Sequence, residues 1–241
     1  MKDHFIAVKN TSKPEILSAE RDFLVVYKPP KMHSVPLARS HETILEWCME
    51  QFPEIADLPG RREGEGGLLH RLDYETHGLI LFARTMRGME ALLSQQRDGK
   101  ILKKYSALSA VSEISIPGFP ARNSTWSGTY IESAFRPFGP GRKAVRPVLS
   151  AVPLYRTEIL EDRKLSDGFT AFCLRLSRGY RHQIRCHLAW LHWPIRNDAL
   201  YGGSSCGKGN LGLRACSISF NDPSSGKERV FSIPFLTPDF L

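Results

Sequence analysis

A chain of 241 residues with 41% hydrophobic and 24% charged residues has an average globular composition, which excludes disorder and a fibrous fold. The 33 Lys and Arg against 25 Asp and Glu give a net charge of +8, a balance that favours a polyanionic partner such as nucleic acid. The five cysteines are odd in number and spread without a Cys-x-x-Cys pair, so they read as reduced thiols rather than a disulfide framework or a zinc ribbon. The N-terminus has no apolar signal core, and no run approaches the roughly 20 apolar residues of a membrane span. The expected compartment is therefore the cytoplasm, where the glycosylation triplet Asn123-Ser124-Thr125 would go unused. One compact, monomeric unit is expected, with residues 1–20 as an N-terminal extension and 21–241 as the working domain.

Short β-like runs dominate the chain: Phe23 to Lys28, Gly78 to Arg84, Tyr105 to Val111, Thr129 to Glu132, Val148 to Leu160, Phe169 to Leu176, Leu213 to Phe220 and Arg229 to Ile233. Many alternate apolar with polar residues, which predicts a largely antiparallel sheet with one solvated face. Three helices interrupt them. Thr43 to Phe52 places Ile44, Trp47 and Cys48 at helical spacing; Met86 to Arg97 follows Thr85 as N-cap and stops before Gly99; Arg181 to His192 stops before Pro194. The class is α+β.

Two loops are longer and more basic than a connection needs: Leu58 to Gly67, with Arg61 and Arg62, and Arg136 to Arg146. The second sets Arg136, Arg142, Lys143 and Arg146 beside Phe135 and Phe138, a mixture of charge and aromatic faces that suits a sugar-phosphate backbone with unstacked bases, or else a merely solvated loop.

The polar turn His70-Arg71-Leu72-Asp73 lies between apolar Leu68-Leu69 and the strand Leu79-Ile80-Leu81-Phe82, so its carboxylate and guanidinium are anchored on both sides. Taken alone, the segment better fits an Asp73 that caps a turn and pairs with Arg71. Further on, Ser177 to Gly203 predicts a helix with His182, Arg185 and Ala189 on one face and Ile184, Leu188 and Leu191 on a core face.

These segments carry a specific resemblance. H-R-L-D-x-x-T-x-G-L-x-L-F-A-x-T, then G-x-x-H-Q-I-R-x-H-L, then P-I-x-x-D-x-L-Y-G, resemble in order and spacing the RluA-type family of pseudouridine synthases. Phe23 to Pro30 resembles the strand and Lys-Pro turn that open the family's catalytic domain. Lys103-Lys104-Tyr105-Ser106-Ala107 resembles its Lys-x-Tyr-x-Ala strand, and Leu213-Arg214-Ala215 with Phe220-Asn221-Asp222-Pro223 resembles its closing segments. The likeness runs from about residue 20 to the C-terminus and leaves no room for the small RNA-binding module that precedes many members. Four positions depart from the pattern: His77 for Ser, Arg181 for Thr, Asn197 for Gly and Arg214 for His. Asn tolerates the left-handed conformation open to such a glycine, so the loop at Asn197 should survive.

The resemblance implies a pseudouridine synthase fold and the isomerisation of uridine within transfer or ribosomal RNA, with no cofactor and no metal. It implies Asp73 as the catalytic carboxylate, Arg185 as the cation that holds it charged, and Tyr105 stacked beneath the uracil. Arg71 would stand near a flipped nucleotide, and His70, Leu72, Thr76, His182, Gln183 and Ile184 complete the substrate-binding set with Arg142 and Lys143. His70 is expected to hold its loop rather than transfer protons. Three rivals remain: an RNA-binding protein of the same fold without chemistry, a hydrolase pairing Asp73 with Glu75 or Asp198, and a zinc site at His182, Cys186 and Cys206.

Overall fold

The computed structural model describes residues 3–8, 11–37, 42–60, 63–113, 115–121, 129–203 and 209–236. Arg61, Arg62, Cys206 and the triplet 123–125 lie outside the described residues. In chain order the first half contains β1 (Asp3–Phe5), β2 (Glu15–Ala19), β3 (Phe23–Lys28), α1 (Ile44–Gln51), β4 (His77–Ala83), α2 (Met86–Arg97) and β5 (Leu102–Ser109). There follow β6 (Tyr130–Phe138), β7 (Ala144–Val148), β8 (Tyr155–Lys164), β9 (Thr170–Leu176), α3 (Gln183–Trp190), β10 (Leu213–Asn221) and β11 (Glu228–Ser232). None of the helices among the described residues is long and apolar enough to cross a membrane.

Where the sequence predicts one compact unit behind an extension, the chain divides into two: Met1–Lys103 with Ala215–Pro234, and Lys104–Arg214 with Phe235–Leu241. The first twenty residues are part of the first unit. There β1 pairs in parallel with β11, and β2 pairs antiparallel with β3.

In the first unit the strand neighbours run β2-β3-β4-β10, with β11 antiparallel on β10. Strand β3, rich in β-branched and aromatic residues, and strand β4 are buried at every position, so these two central strands have no solvated face. Phe23, Val25, Tyr27, Leu79 and Leu81 form a core with Met89 and Leu92 of α2. Helix α2 starts where predicted because the Thr85 hydroxyl accepts the Gly88 amide at 3.0 Å. Helix α1 opens on a capping box between Thr43 and Glu46. Gly78, at φ +123°, enters β4 in a left-handed conformation, and a Cβ there would lie 2.2 Å from the Ala215 carbonyl oxygen.

In the second unit the neighbours run β5-β9-β8-β6-β7. Strand β6 is shared along its length: Tyr130 to Ser133 pair with β8, and Ala134 to Phe138 with β7. The stretch Arg136 to Arg146 is thus a β-hairpin and not the loop expected, its turn a single 3-10 turn at Pro140–Arg142. Strand β9 alternates buried with half-buried positions as the pattern predicts. Helix α3 is shorter than predicted. His182 sits at its N-cap at φ 55°, outside the helical face it was expected to share with Arg185, and all eight helical residues are buried. His187 is held neutral in that interior, pushed down to about 3 by burial, between the hydroxyls of Ser133 at 3.0 Å and Thr157 at 2.8 Å.

Candidate functional site

The segment Gly67 to Leu69 runs antiparallel beside β4: the Leu69 amide donates to the Leu81 carbonyl at 3.1 Å, and Ala83 to Gly67 at 2.7 Å. The intervening loop, residues 70–76, is fixed at several points. His70 is buried, and its Nε2 accepts the Leu81 amide at 3.2 Å, so it is a neutral imidazole tying the loop to β4. Leu72 is buried and exchanges two bonds with the Ser34 hydroxyl: Ser34 Oγ donates to its carbonyl at 2.7 Å and accepts its amide at 3.0 Å. The Thr76 amide closes the turn on the Asp73 carbonyl at 3.1 Å. Asp73 is half-buried at the tip of this pinned turn, while the side chain of Arg71 is 47% exposed and reaches Glu65 at 3.4 Å.

Lys28, at the end of β3, is a candidate functional residue to which sequence reasoning gave no role. It is fully buried, and its Nζ donates to the carbonyls of Met32 at 2.7 Å, Pro29 at 2.9 Å and Tyr74 at 3.4 Å. Burial pushes its ammonium down to about 7, against the opposing attraction of Asp73 and Glu75. Attraction is mutual, so a protonated Lys28 favours the charged form of Asp73. The available signal was a lysine ending a wholly apolar run just before Pro29-Pro30.

In the second unit Arg185 is buried and makes a two-pronged ion pair with Asp198, Nε to Oδ2 at 2.7 Å and Nη2 to Oδ1 at 2.8 Å. Five donors make up a guanidinium, so this pair orients Arg185 without exhausting it. The turn that aims Asp198 is tight. Its carbonyl accepts the Gly203 amide at 2.8 Å, and a Cβ on Gly203 would lie 1.9 Å from the Ile195 carbonyl oxygen. Asn197 is left-handed at φ 62°, the conformation its place in the motif requires.

His182 Nδ1 shares a hydrogen bond with the Tyr201 hydroxyl at 3.2 Å, and that hydroxyl accepts the Val145 amide at 2.8 Å. Gln183 donates to the Arg156 carbonyl at 2.9 Å and the Thr157 hydroxyl at 3.1 Å, and Ile184 is buried. Leu72, Gln183 and Ile184, expected among the ligand-binding residues, thus support their own units from inside. Tyr105 is buried on β5. Cys186 donates to the Val145 carbonyl at 3.5 Å, and among the described residues no three potential ligands gather into a metal site.

The hairpin of β6 and β7 carries Arg136 directly opposite Arg146. Like charges across a strand pair are destabilising, a local cost that an anion bound between them removes. Its turn exposes Arg142 and Lys143. Arg181, one of the four departures, holds this turn through one guanidinium nitrogen, donating to the carbonyls of Arg142 at 2.8 Å and Ala144 at 3.1 Å.

The profile of a family described as RNA pseudouridylate synthase matches residues 22–190, which span the pinned loop, the hairpin and α3. The chain belongs to the RNA pseudouridylate synthase family. Members similar to it include the ribosomal large subunit pseudouridine synthase D of Vibrio parahaemolyticus, 26% identical over 238 residues that cover 91% of this chain and 66% of the relative. The protein of the same name from Escherichia coli strain K12 is 31% identical over 192 residues, covering 78% of this chain and 52% of the relative. The chain therefore spans between about half and two thirds of the length of these curated relatives. Among solved structures, human RNA pseudouridylate synthase domain containing 1 matches with a TM-score of 0.63 at 19% identity, covering 98% of this chain and 89% of that one. That likeness shows a pseudouridine synthase fold for this member: a mainly antiparallel sheet with few helices, as the sequence predicts.

Proposed function

We propose that this chain isomerises uridine to pseudouridine within structured RNA, with Asp73 as the catalytic carboxylate. The observation that carries the reading is a half-buried aspartate on a turn pinned at His70, Leu72 and Thr76, in the field of the buried Lys28 ammonium. A carboxylate that must react while ionised needs rigidity and a nearby positive charge; the loop supplies the first and Lys28 the second.

The rearrangement breaks the bond from ribose C1′ to uracil N1, turns the base in place and forms a bond from C1′ to C5. The C5 proton leaves to solvent and N1 gains one, so atoms balance with no outside group. Asp73 acts at the sugar, as a nucleophile on C1′ or as a base on the ribose. The family resemblance is what supports Tyr105 as the residue that stacks on the uracil and Arg185 as the cation for the carboxylate; the plane of Arg185 is set by Asp198. A base held within a duplex is out of reach, so the target nucleotide is extruded, with Arg71 positioned to fill or brace the gap. The hairpin bearing Arg136, Arg142, Lys143 and Arg146 grips phosphates.

The hydrolase reading loses its second acid at Asp198, which is buried and clamped by Arg185. The names of the relatives make large-subunit ribosomal RNA the first substrate to try, with transfer RNA the second. Transcripts labelled with tritium at uracil C5 test the proposal: the wild-type protein should release tritium into water without releasing free uracil. RNA that is bound with no tritium release would show a binding module instead.

A further inference from the structure

We propose that His33 and Tyr74 form a stacking platform for the unpaired nucleobase next to the target uridine, an inference that rests on the chain acting on RNA. Tyr74 follows Asp73 directly in sequence, yet the residue is 42% exposed. It does not stand alone: the imidazole of His33, half-buried, lies against it with ring centroids 4.6 Å apart and planes 35° from parallel. The pair forms an aromatic surface on the residue that follows Asp73.

That surface is held in register with Asp73 from both sides. Lys28 Nζ binds the carbonyl of Met32, the residue before His33, at 2.7 Å, and the carbonyl of Tyr74 at 3.4 Å. Ser34, the residue after His33, bonds both backbone groups of Leu72, the residue before Asp73. The two loops are therefore tied together at the positions that bracket His33 and Asp73. An aromatic surface fixed in this way presents itself with little loss of side-chain freedom on binding, so it is worth more than a mobile ring. Cations lie near the pair in sequence: Lys31 is exposed and held left-handed at φ 59°, and the Arg71 side chain is 47% exposed.

Extruding a nucleotide leaves its neighbours without a stacking partner. A preformed aromatic platform one residue from the carboxylate replaces the lost face for the adjacent base. Stacking of this kind accepts any base and gains with ring size, so it should favour a purine beside the target.

The probe is a 20-nucleotide RNA stem-loop with a uridine in its loop and 2-aminopurine beside it. Binding of the wild-type protein should quench the 2-aminopurine fluorescence. Tyr74→Ala should abolish most of the quench and weaken binding roughly 5- to 50-fold. His33→Ala should do so to a lesser degree, and Tyr74→Phe should keep both the quench and the affinity. Circular dichroism spectra matching the wild type would confirm that the exposed substitutions leave the fold intact. Absence of quenching by the wild type, or a Tyr74→Ala protein that quenches and binds like it, overturns the platform. The readout is stacking rather than chemistry, so the two proposals fail separately. A protein that quenches but releases no tritium keeps the platform and loses the isomerase, whereas unaltered tritium release and KM in Tyr74→Ala keep the isomerase and lose the platform.

Discussion

Lys28 in the first unit and Arg185 in the second are both buried cations, but the protein satisfies them by opposite means. Arg185 meets a carboxylate in a two-pronged pair, which fixes its plane. Lys28 meets three carbonyl dipoles, which satisfy its N–H donors without cancelling its charge. The first arrangement orients a guanidinium and the second projects a field. Burial pulls Lys28 down to about 7, while Asp73 and Glu75, rather than its hydrogen-bond partners, supply the opposing attraction.

The largest effect that separates the two is expected from Arg185→Met. It leaves the Asp198 carboxylate buried without its cation, at a cost of about 3–5 kcal/mol in urea unfolding. Adding Asp198→Asn should recover part of that loss, with a coupling of roughly 1 kcal/mol or more. Simple additivity would mean that the pair is not where the stability resides.

Lys28→Met should act mainly on pH dependence. In the folded protein Lys28 loses its proton as pH rises through about 7, against a reference of 10.5 in the unfolded chain. The unfolded chain thus holds more protons between those values, so this group makes stability rise with pH across that window, by at most about 1.4 kcal/mol per unit. Activity should move the other way, because the field on Asp73 is lost above pH 7. The wild-type kcat/KM should have a falling limb near pH 7 that Lys28→Met lacks, with activity roughly tenfold lower on the acid side. Profiles that superimpose would show that Lys28 does not act on Asp73.

The smallest effect belongs to the hairpin. If about four phosphates are neutralised, log K should fall with a slope near −3 against log salt, and Arg142→Ala with Lys143→Ala should flatten it by roughly one unit. An unchanged slope would take the turn out of the RNA interface.

Much of this arrangement was legible in the sequence where the signal is local. Thr85 and Gly99 bound α2 at the predicted residues, and Asn197 adopts the left-handed conformation that its motif position demands. The order and spacing of the H-R-L-D and H-Q-I-R segments pointed to the family before any geometry. What stayed hidden depends on pairing across distance. Strand β7 reads as a loop because it follows Gly139, Pro140 and Gly141 and contains Pro147, yet a proline is tolerated on a strand at the edge of the order, where β7 lies. The run Val148 to Leu160 looks continuous but yields β8 only from Tyr155. No periodicity says that the lysine ending β3 points inward to three carbonyls, or that Asp198, thirteen residues from Arg185, returns to grip it. The exposed pair of His33 and Tyr74 joins two loops distant in sequence, and neither residue stands out by itself.

If Asp73 on the pinned turn of the first unit is the reacting carboxylate, its charge is indispensable. Asp73→Asn keeps the size and most of the hydrogen-bonding capacity of the side chain while removing its charge and its nucleophilic or basic oxygen. Tritium release from uracil-C5-labelled RNA, measured beside RNA affinity, should fall to background in this variant with affinity within a few-fold of the wild type. Substantial release from Asp73→Asn would show that another group performs the reaction.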